Sequence, residues 1–292
     1  MRRIWGSWTG RIGLVLVGGM TAAGVLSTVW TPYDPHVLLP SQRWKPISFT
    51  HPFGTDASGR DLFSLVISGA WTTARVVFLS TVIAAVIGMV LGILSAIAPR
   101  WIGEAMAHLI DVMIAIPALV LALVLVAGLG GSIVTISLAI GIAFGIVFAR
   151  VIRVEAHKAL TNDYIVAAHA SGASTWRIAW RHVVPNIAPT IIVQLSLIAA
   201  LTILTEAALS FLGLMPLATI SWGRMLQDLQ STMTIHPLAL VFPGIAVVLA
   251  TLGFNLLGDG VREALDPQLK ARGASAAIDP LLAPTAIGTD MP

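Results

Sequence analysis

Six apolar stretches punctuate the chain, at roughly residues 12–30, 76–98, 105–127, 132–149, 187–212 and 238–257. Each comes close to the 20 or so residues that an α-helix needs to cross the hydrocarbon of a bilayer. The pattern therefore predicts an all-α, polytopic membrane protein with six transmembrane helices and both ends of the chain on one side. The first stretch follows Arg2, Arg3 and Arg11, as a signal peptide's apolar core would. It runs on to Trp30 and ends in Thr31-Pro32-Tyr33-Asp34 without a small-x-small cleavage site, so it reads as a span.

The polar segments between the stretches are unequal. Residues 31–75 form a first outer segment, 150–186 the longest cytoplasmic loop, and 213–237 a second outer segment. The expected organisation is an N-terminal part over 1–74, with the cytoplasmic end, the first span and the outer segment. A core transmembrane region covers 75–270 with the loop at 150–186, and a disordered cytoplasmic tail covers 271–292, where small residues and proline dominate. With the N terminus in the cytoplasm, 12 of the 17 basic residues fall inside and five outside. This is the orientation that the positive-inside rule selects. Trp30, Trp44, Trp71, Trp101 and Trp222 fall near span ends, where an indole can sit at headgroup level.

Composition narrows the function. Of the 292 residues 57% are hydrophobic and only 11% are charged, against about 25% charged in a soluble domain. That excludes a soluble enzyme, a disordered chain and a charged scaffold, and in a polytopic chain a net charge of +3 sets orientation rather than binding nucleic acid. There is no cysteine to form a disulfide or a thiolate site. No G-x-x-x-x-G-K-[ST] loop is present to cradle a nucleotide, the lysines being Lys45, Lys158 and Lys270, and no histidine begins H-E-x-x-H. Energy for transport would have to come from another chain or from a gradient.

The 150–186 loop is where such a chain meets something soluble. Asn162-Asp163 can cap a short helix through Ala170, Gly172 interrupts it, and Ser174 can cap a second. In that second helix Trp176, Ala179, Trp180 and Val183 are expected on one face and Arg177 and Arg181 on the other, before Pro185 ends the helix or turns it into the fifth span. Two readings stand for this hairpin: a knob that docks into a partner's cleft, or a pair of helices lying on the inner leaflet. Within the spans, Asp111 and Glu206 are costly in lipid and so are candidates for a pathway or a gate, Asp111 being within reach of Arg150 or Arg153. Two membrane carboxylates also suit an ion-coupled secondary carrier, and a subunit with a purely structural role in an assembly is a third reading. Pro117 and Pro243 allow bends in spans three and six. The pairs Gly88/Gly92 and Gly141/Gly145 predict close helix packing.

Several blocks in order carry a resemblance. Asp163-Tyr164-Ile165-Val166-Ala167-Ala168-His169-Ala170-Ser171-Gly172-Ala173, then Ile178, Arg181-His182 and Val184-Pro185-Asn186, resemble the EAA motif of binding-protein-dependent ABC transporter permeases. His51-Pro52-Phe53-Gly54-Thr55-Asp56, Gly59-Arg60-Asp61, Glu206 to Leu214, Ser221-Trp222-Gly223, and Phe254 to Gly260 with Leu265-Asp266-Pro267 are similar to the C-type permeases of its peptide and nickel branch. The resemblance covers about residues 10–270. It implies a type I ABC importer permease fold in which the loop is a coupling helix fitted to a cytoplasmic ATPase, with Ala167, Ala168, Gly172, Trp176, Arg177 and Pro185 at the contact. The chain departs from the motif in having Val166 where the eponymous glutamate would stand, and His169 where the peptide branch often has arginine. The resemblance further implies a B-type permease partner, two ATP-binding subunits that hold ATP and Mg while this chain holds no cofactor, an extracytoplasmic peptide-binding protein, and membrane lipid around the whole in a bacterial inner membrane. The cargo so implied is a di- or oligopeptide, with nickel or another small solute as the alternative.

Overall fold

The computed structural model describes residues 7–265, and in them the chain is helical, with a single isolated bridge between Thr55 and Asp61. Arg2 and Arg3, and Asp266, Pro267, Lys270, Arg272 and the rest of the expected tail, lie outside the described residues. The helices are α1 (Trp8–Ser27), α2 (Leu62–Ile97), α3 (Arg100–Ile114), α4 (Ala118–Leu129), α5 (Ile133–Leu160), α6 (Asp163–Ala170), α7 (Thr175–Ile178), α8 (Val184–Phe211), α9 (Trp222–Gln230) and α10 (Pro237–Leu265). Among the described residues five helical stretches are long and apolar enough to cross a membrane, and the bent pair α3–α4, taken as one broken span, brings the count to six. The inner end of the bundle is the one that the arginine distribution assigns to the cytoplasm.

Three spans differ from the expected bounds. The second starts at Leu62 and not near 76, giving a helix of 36 residues, or ~54 Å at 1.5 Å per residue, against about 30 Å of hydrocarbon. Hydropathy marks only the part of a helix that lipid surrounds. The first turns of α2 are held by Asp61, whose carboxylate accepts from the Ser64 amide at 2.8 Å, and by packing on the outer segment. The third span is broken: α3 and α4 meet at 82°. Pro117 starts α4, has no N–H to give to α3, and disfavours helical backbone at Ile116. The fourth and fifth spans run well past 149 and 187 into the loop, since α5 continues to Leu160 and a continuous helical path covers Thr175–Phe211. Most of the loop is therefore the stalks of two spans. Pro243 lies inside α10, which runs through it.

The glycine pairs account for the tightest seam. A Cβ on Gly88 would meet the Phe148 ring, and one on Gly92 would come within 2.6 Å of Ile152. Reciprocally, Gly141 receives Ile83 at 2.7 Å and Gly145 receives Ile87 at 2.9 Å. The knobs of each helix thus enter the gaps of the other along the length of α2 and α5. Filling one gap forces a shift in a packed seam, so Gly88→Val is expected to destabilise the chain by about 1–3 kcal/mol. The check is the thermal midpoint in detergent, with Gly18→Val, whose added Cβ meets nothing within 4 Å, as the control.

The 28–61 segment is ordered and caps the outer end of the bundle. Pro52-Phe53-Gly54 forms the turn expected of it, with Gly54 at φ 76°. The His51 ring meets Asp61 at 2.9 Å and stacks on Tyr33, while Phe53 stacks on Phe242 and Trp44 on His236. These contacts tie the outer ends of α2 and α10 together.

Candidate functional site

At the inner end, α6 and α7 form the hairpin that the sequence predicts. Gly172 takes φ 80°, the left-handed conformation that side chains resist. The Ala173 amide reaches back to the Ala168 carbonyl at 3.2 Å and closes the end of α6. Ser174 caps α7, its hydroxyl accepting from the Arg177 amide. The hairpin is rooted in the core by Ile165, Ile178, Ala179 and Val183, none more than 1% exposed. Ala168 and Ala173 pack against the same core.

The expected single face of four residues is divided. Ala179 and Val183 are buried, whereas Trp176 and Trp180 are exposed and meet each other edge to face at 5.7 Å. Ala179 stands about 300° around the helix from Trp176, enough of a step for small side chains to enter the core while the indoles stay on the rim. Just there the helix widens to a π-helical turn over Ala179–Val183, with the Val184 amide donating to the Ala179 carbonyl. Pro185 falls in the first turn of α8, where its missing N–H costs least, and so starts that helix without ending the path into it. The surface offered to a partner is Ala167, Gly172, Trp176, Arg177, Trp180, Arg181 and Pro185, all exposed. It is a small apolar tip beside an aromatic pair and two cations.

The two membrane carboxylates lie apart and differ in kind. Asp111 sits on α3 with half of its side chain exposed, 3.7 Å from Arg150 Nε on α5. A pair so open to solvent contributes little, and Asp111→Asn is expected to change stability by less than about 1 kcal/mol, checked by thermal unfolding.

Glu206 is enclosed. It is 0% exposed, near the outer end of α8, and accepts from Ser210 Oγ at 2.7 Å and from Thr73 Oγ1 of α2 at 3.2 Å. The hydroxyl of Ser221, the buried cap of α9, lies near it. Around this cluster α9 is wedged into the cleft between α2 and α8: Trp222 covers Gly69 and donates from Nε1 to the Val66 carbonyl at 2.8 Å, and Gly223 lies on the Ala207 backbone. On the far side of α9, Asp228 bridges Arg224 at 3.0 Å and Arg60 at 3.5 Å, and Arg60 meets Asp56 at 2.7 Å. The carboxyl of Glu206 thus faces the interior of this chain, at the junction of α2, α8 and α9.

Of the partners of Glu206, Ser210 stands one helical turn away and could be read from spacing. Thr73 is 133 residues distant and could not. Among the described residues no group of three or more His, Cys, Asp or Glu is placed to hold a metal ion.

Comparison with known proteins places this architecture. Residues 88–271 match the family described as "Binding-protein-dependent transport system inner membrane component". The chain is 35% identical to the dipeptide transport system permease protein DppC of Alkalihalophilus pseudofirmus, over 89% of this chain and 86% of the relative. It is 32% identical to the oligopeptide transport system permease protein OppC of Bacillus subtilis, over 89% and 85%. It is 36% identical to the glutathione transport system permease protein GsiD of Pectobacterium atrosepticum, over 77% and 75%. Five to six candidate spans, a helical hairpin at the arginine-rich end and these matches agree: the chain belongs to the family of binding-protein-dependent transport system inner membrane components, as a multi-pass and non-catalytic subunit.

Proposed function

We propose that the chain is one of two permeases in an ATP-driven importer of di- or oligopeptides. It would line half of the pathway and pass the work of two cytoplasmic ATPases to it. The observation that carries the coupling role is the hairpin itself: a rigid tip, rooted by buried Ile165 and Ile178, at the end of two stalks that are continuous with spans. The names of the relatives, permeases of dipeptide, oligopeptide and glutathione transport systems, support a peptide cargo.

The fold supplies a route for force. A displaced tip tilts α5 and α8, because α6 and α7 join their inner ends. The glycine seam carries the motion of α5 to α2. At the outer end, Glu206 ties α8 to α2 and α9 is wedged between them, so the outer mouth moves with the stalks. Closure of the ATPases on ATP would draw the two hairpins of the permease pair together and open the cavity toward a loaded binding protein, and hydrolysis would reverse the motion. ATP and Mg belong to the ATPase subunits. A B-type permease and an extracytoplasmic peptide-binding protein complete the assembly, and the N terminus and the tail are cytoplasmic in the orientation set by the arginines. An ion-coupled carrier draws no support from the geometry, since Asp111 is half exposed beside Arg150 and Glu206 is enclosed among hydroxyls.

The test is a mild-detergent purification of the tagged chain from its native membrane with identification of what it retains. A second permease, ATPases and a peptide-binding protein are the expected result. A stable, monodisperse chain that retains none of them overturns the reading. Retention of a binding protein that carries nickel or another solute overturns the cargo alone.

A further inference from the structure

Between the outer ends of α1 and α5 lies a cavity of about 340 Å3, with Ser68, Thr72 and Arg75 of α2, Ser27 and Thr28 at the end of α1, and His36 among its walls. Arg75 stacks over Trp71, the guanidinium carbon 5.3 Å from the ring centroid. Its Nε is buried without a hydrogen-bond partner, and so is Ser68 Oγ. Among the described residues no carboxylate forms an ion pair with Arg75. Both atoms are enclosed by protein beside the cavity that their residues line, and a small rotation of either side chain toward it would let an oxyanion there satisfy the unpaired group.

The depth of the site identifies the source of that oxyanion. Arg75 lies well into α2, yet at 36 residues α2 is longer than the hydrocarbon is thick, and Arg75 lines one cavity with the last residues of α1 and the first of α5. Val29 and Trp30, just past the end of α1, are exposed, as expected where a span leaves the hydrocarbon and an indole meets the headgroups. Below Arg75, toward the membrane centre, Leu79, Val82, Val86 and Val90 continue the same side of α2, and all four are exposed. A cation and hydroxyls at headgroup level above an exposed apolar stripe match the two halves of a phospholipid. The neighbouring α1 is the least enclosed of the spans, so the site borders the periphery of this chain.

We propose that this pocket binds the phosphodiester of a phospholipid in the outer leaflet of the membrane, with Arg75 and Ser68 on the phosphate and the acyl chains along the α2 stripe. A bound lipid there braces the outer ends of α1, α2 and α5. The proposal is independent of the cargo.

The test uses the assembled importer, stripped of lipid in detergent and titrated with phosphatidylglycerol or phosphatidylcholine while native mass spectrometry counts the lipids retained. Arg75→Gln is expected to weaken one tightly held lipid per complex by at least about tenfold. Ser68→Ala should act in the same direction without changing charge, and Arg43→Gln, on the outer segment, should have no effect. The same spectra report subunit stoichiometry and so separate lost binding from lost assembly; if Arg75→Gln does not assemble, Ser68→Ala decides. Lipid retention unchanged in Ser68→Ala and Arg75→Gln overturns the proposal. So does displacement of the lipid by inorganic phosphate, which would mark a site for free anions, or by a peptide with a free carboxylate, which would mark a cargo subsite.

Discussion

Gly172→Val is expected to leave the chain inserted and paired in the membrane while ATPase recovery and cargo-stimulated turnover fall by about tenfold or more. The reason is backbone geometry and not space. A Cβ at Gly172 would meet nothing within 4 Å, so no neighbour resists the side chain directly. At φ 80°, however, an ordinary residue costs about 1–2 kcal/mol, and a β-branched one more. The cheapest relief is to open the hydrogen bond from Ala173 to Ala168 and let the tip swing out, since the roots at Ile165 and Ile178 are too well buried to yield first. The tip would then lose the shape proposed to fit the ATPase. Asparagine tolerates the left-handed conformation, so Gly172→Asn should retain most ATPase binding and Gly172→Ala should fall between the two. Co-purification of the ATPase from detergent, in all three variants at equal membrane levels, is the measurement. Full recovery with valine would show that the hairpin does not couple through its tip.

What the sequence discloses and what it withholds divide along physical lines. The six apolar runs reveal the spans because lipid exposure demands hydrophobicity at nearly every position. The start of α2 is hidden for the same reason: residues 62–75 are helical but many of them pack on protein at the outer end, so Ser64, Ser68, Thr72, Thr73 and Arg75 interrupt the hydropathy without interrupting the helix. The hairpin is legible from Asn162-Asp163, Gly172 and Ser174, since caps and left-handed glycines are local requirements. The division of its indoles from Ala179 and Val183 is not, because it is set by contact with a core assembled from distant segments. The glycine steps in α2 and α5 announce close packing, but only the folded chain shows that the two pairs receive each other's large neighbours. Glu206 is conspicuous as a carboxylate in a span. Its surroundings depend on Thr73, which stands on another span 133 residues away, and no spacing rule reaches that far.

Glu206→Ala is expected to be among the most damaging single changes in the chain, and Glu206→Gln among the mildest at that position. The alanine variant leaves the hydroxyls of Thr73 and Ser210 buried without their acceptor, at about 1–3 kcal/mol each, and opens a void where a fully enclosed side chain stood. Together these approach about 3–5 kcal/mol, a large share of the roughly 5–15 kcal/mol that a folded domain has in hand. Glutamine fills the same volume and keeps one acceptor oxygen, and the hydroxyls can rotate to accept from its amide, so its cost should stay near about 1 kcal/mol. The loss should fall first on α9, which is wedged in beside this carboxyl by Trp222 and rests at Gly223 on the Ala207 backbone next to it. The chain has no cysteine, so one placed at Met225, on the buried side of α9, reports that loss without background. Met225→Cys alone should react slowly with an externally added maleimide, should remain slow with Glu206→Gln, and should react readily with Glu206→Ala. A thermal midpoint lowered by the alanine variant with Met225→Cys still protected would move the damage elsewhere in the bundle. Loss of cargo transport by Glu206→Gln, with α9 seated and the assembly intact, would instead assign the carboxyl a role in the pathway that its hydrogen bonds alone do not supply.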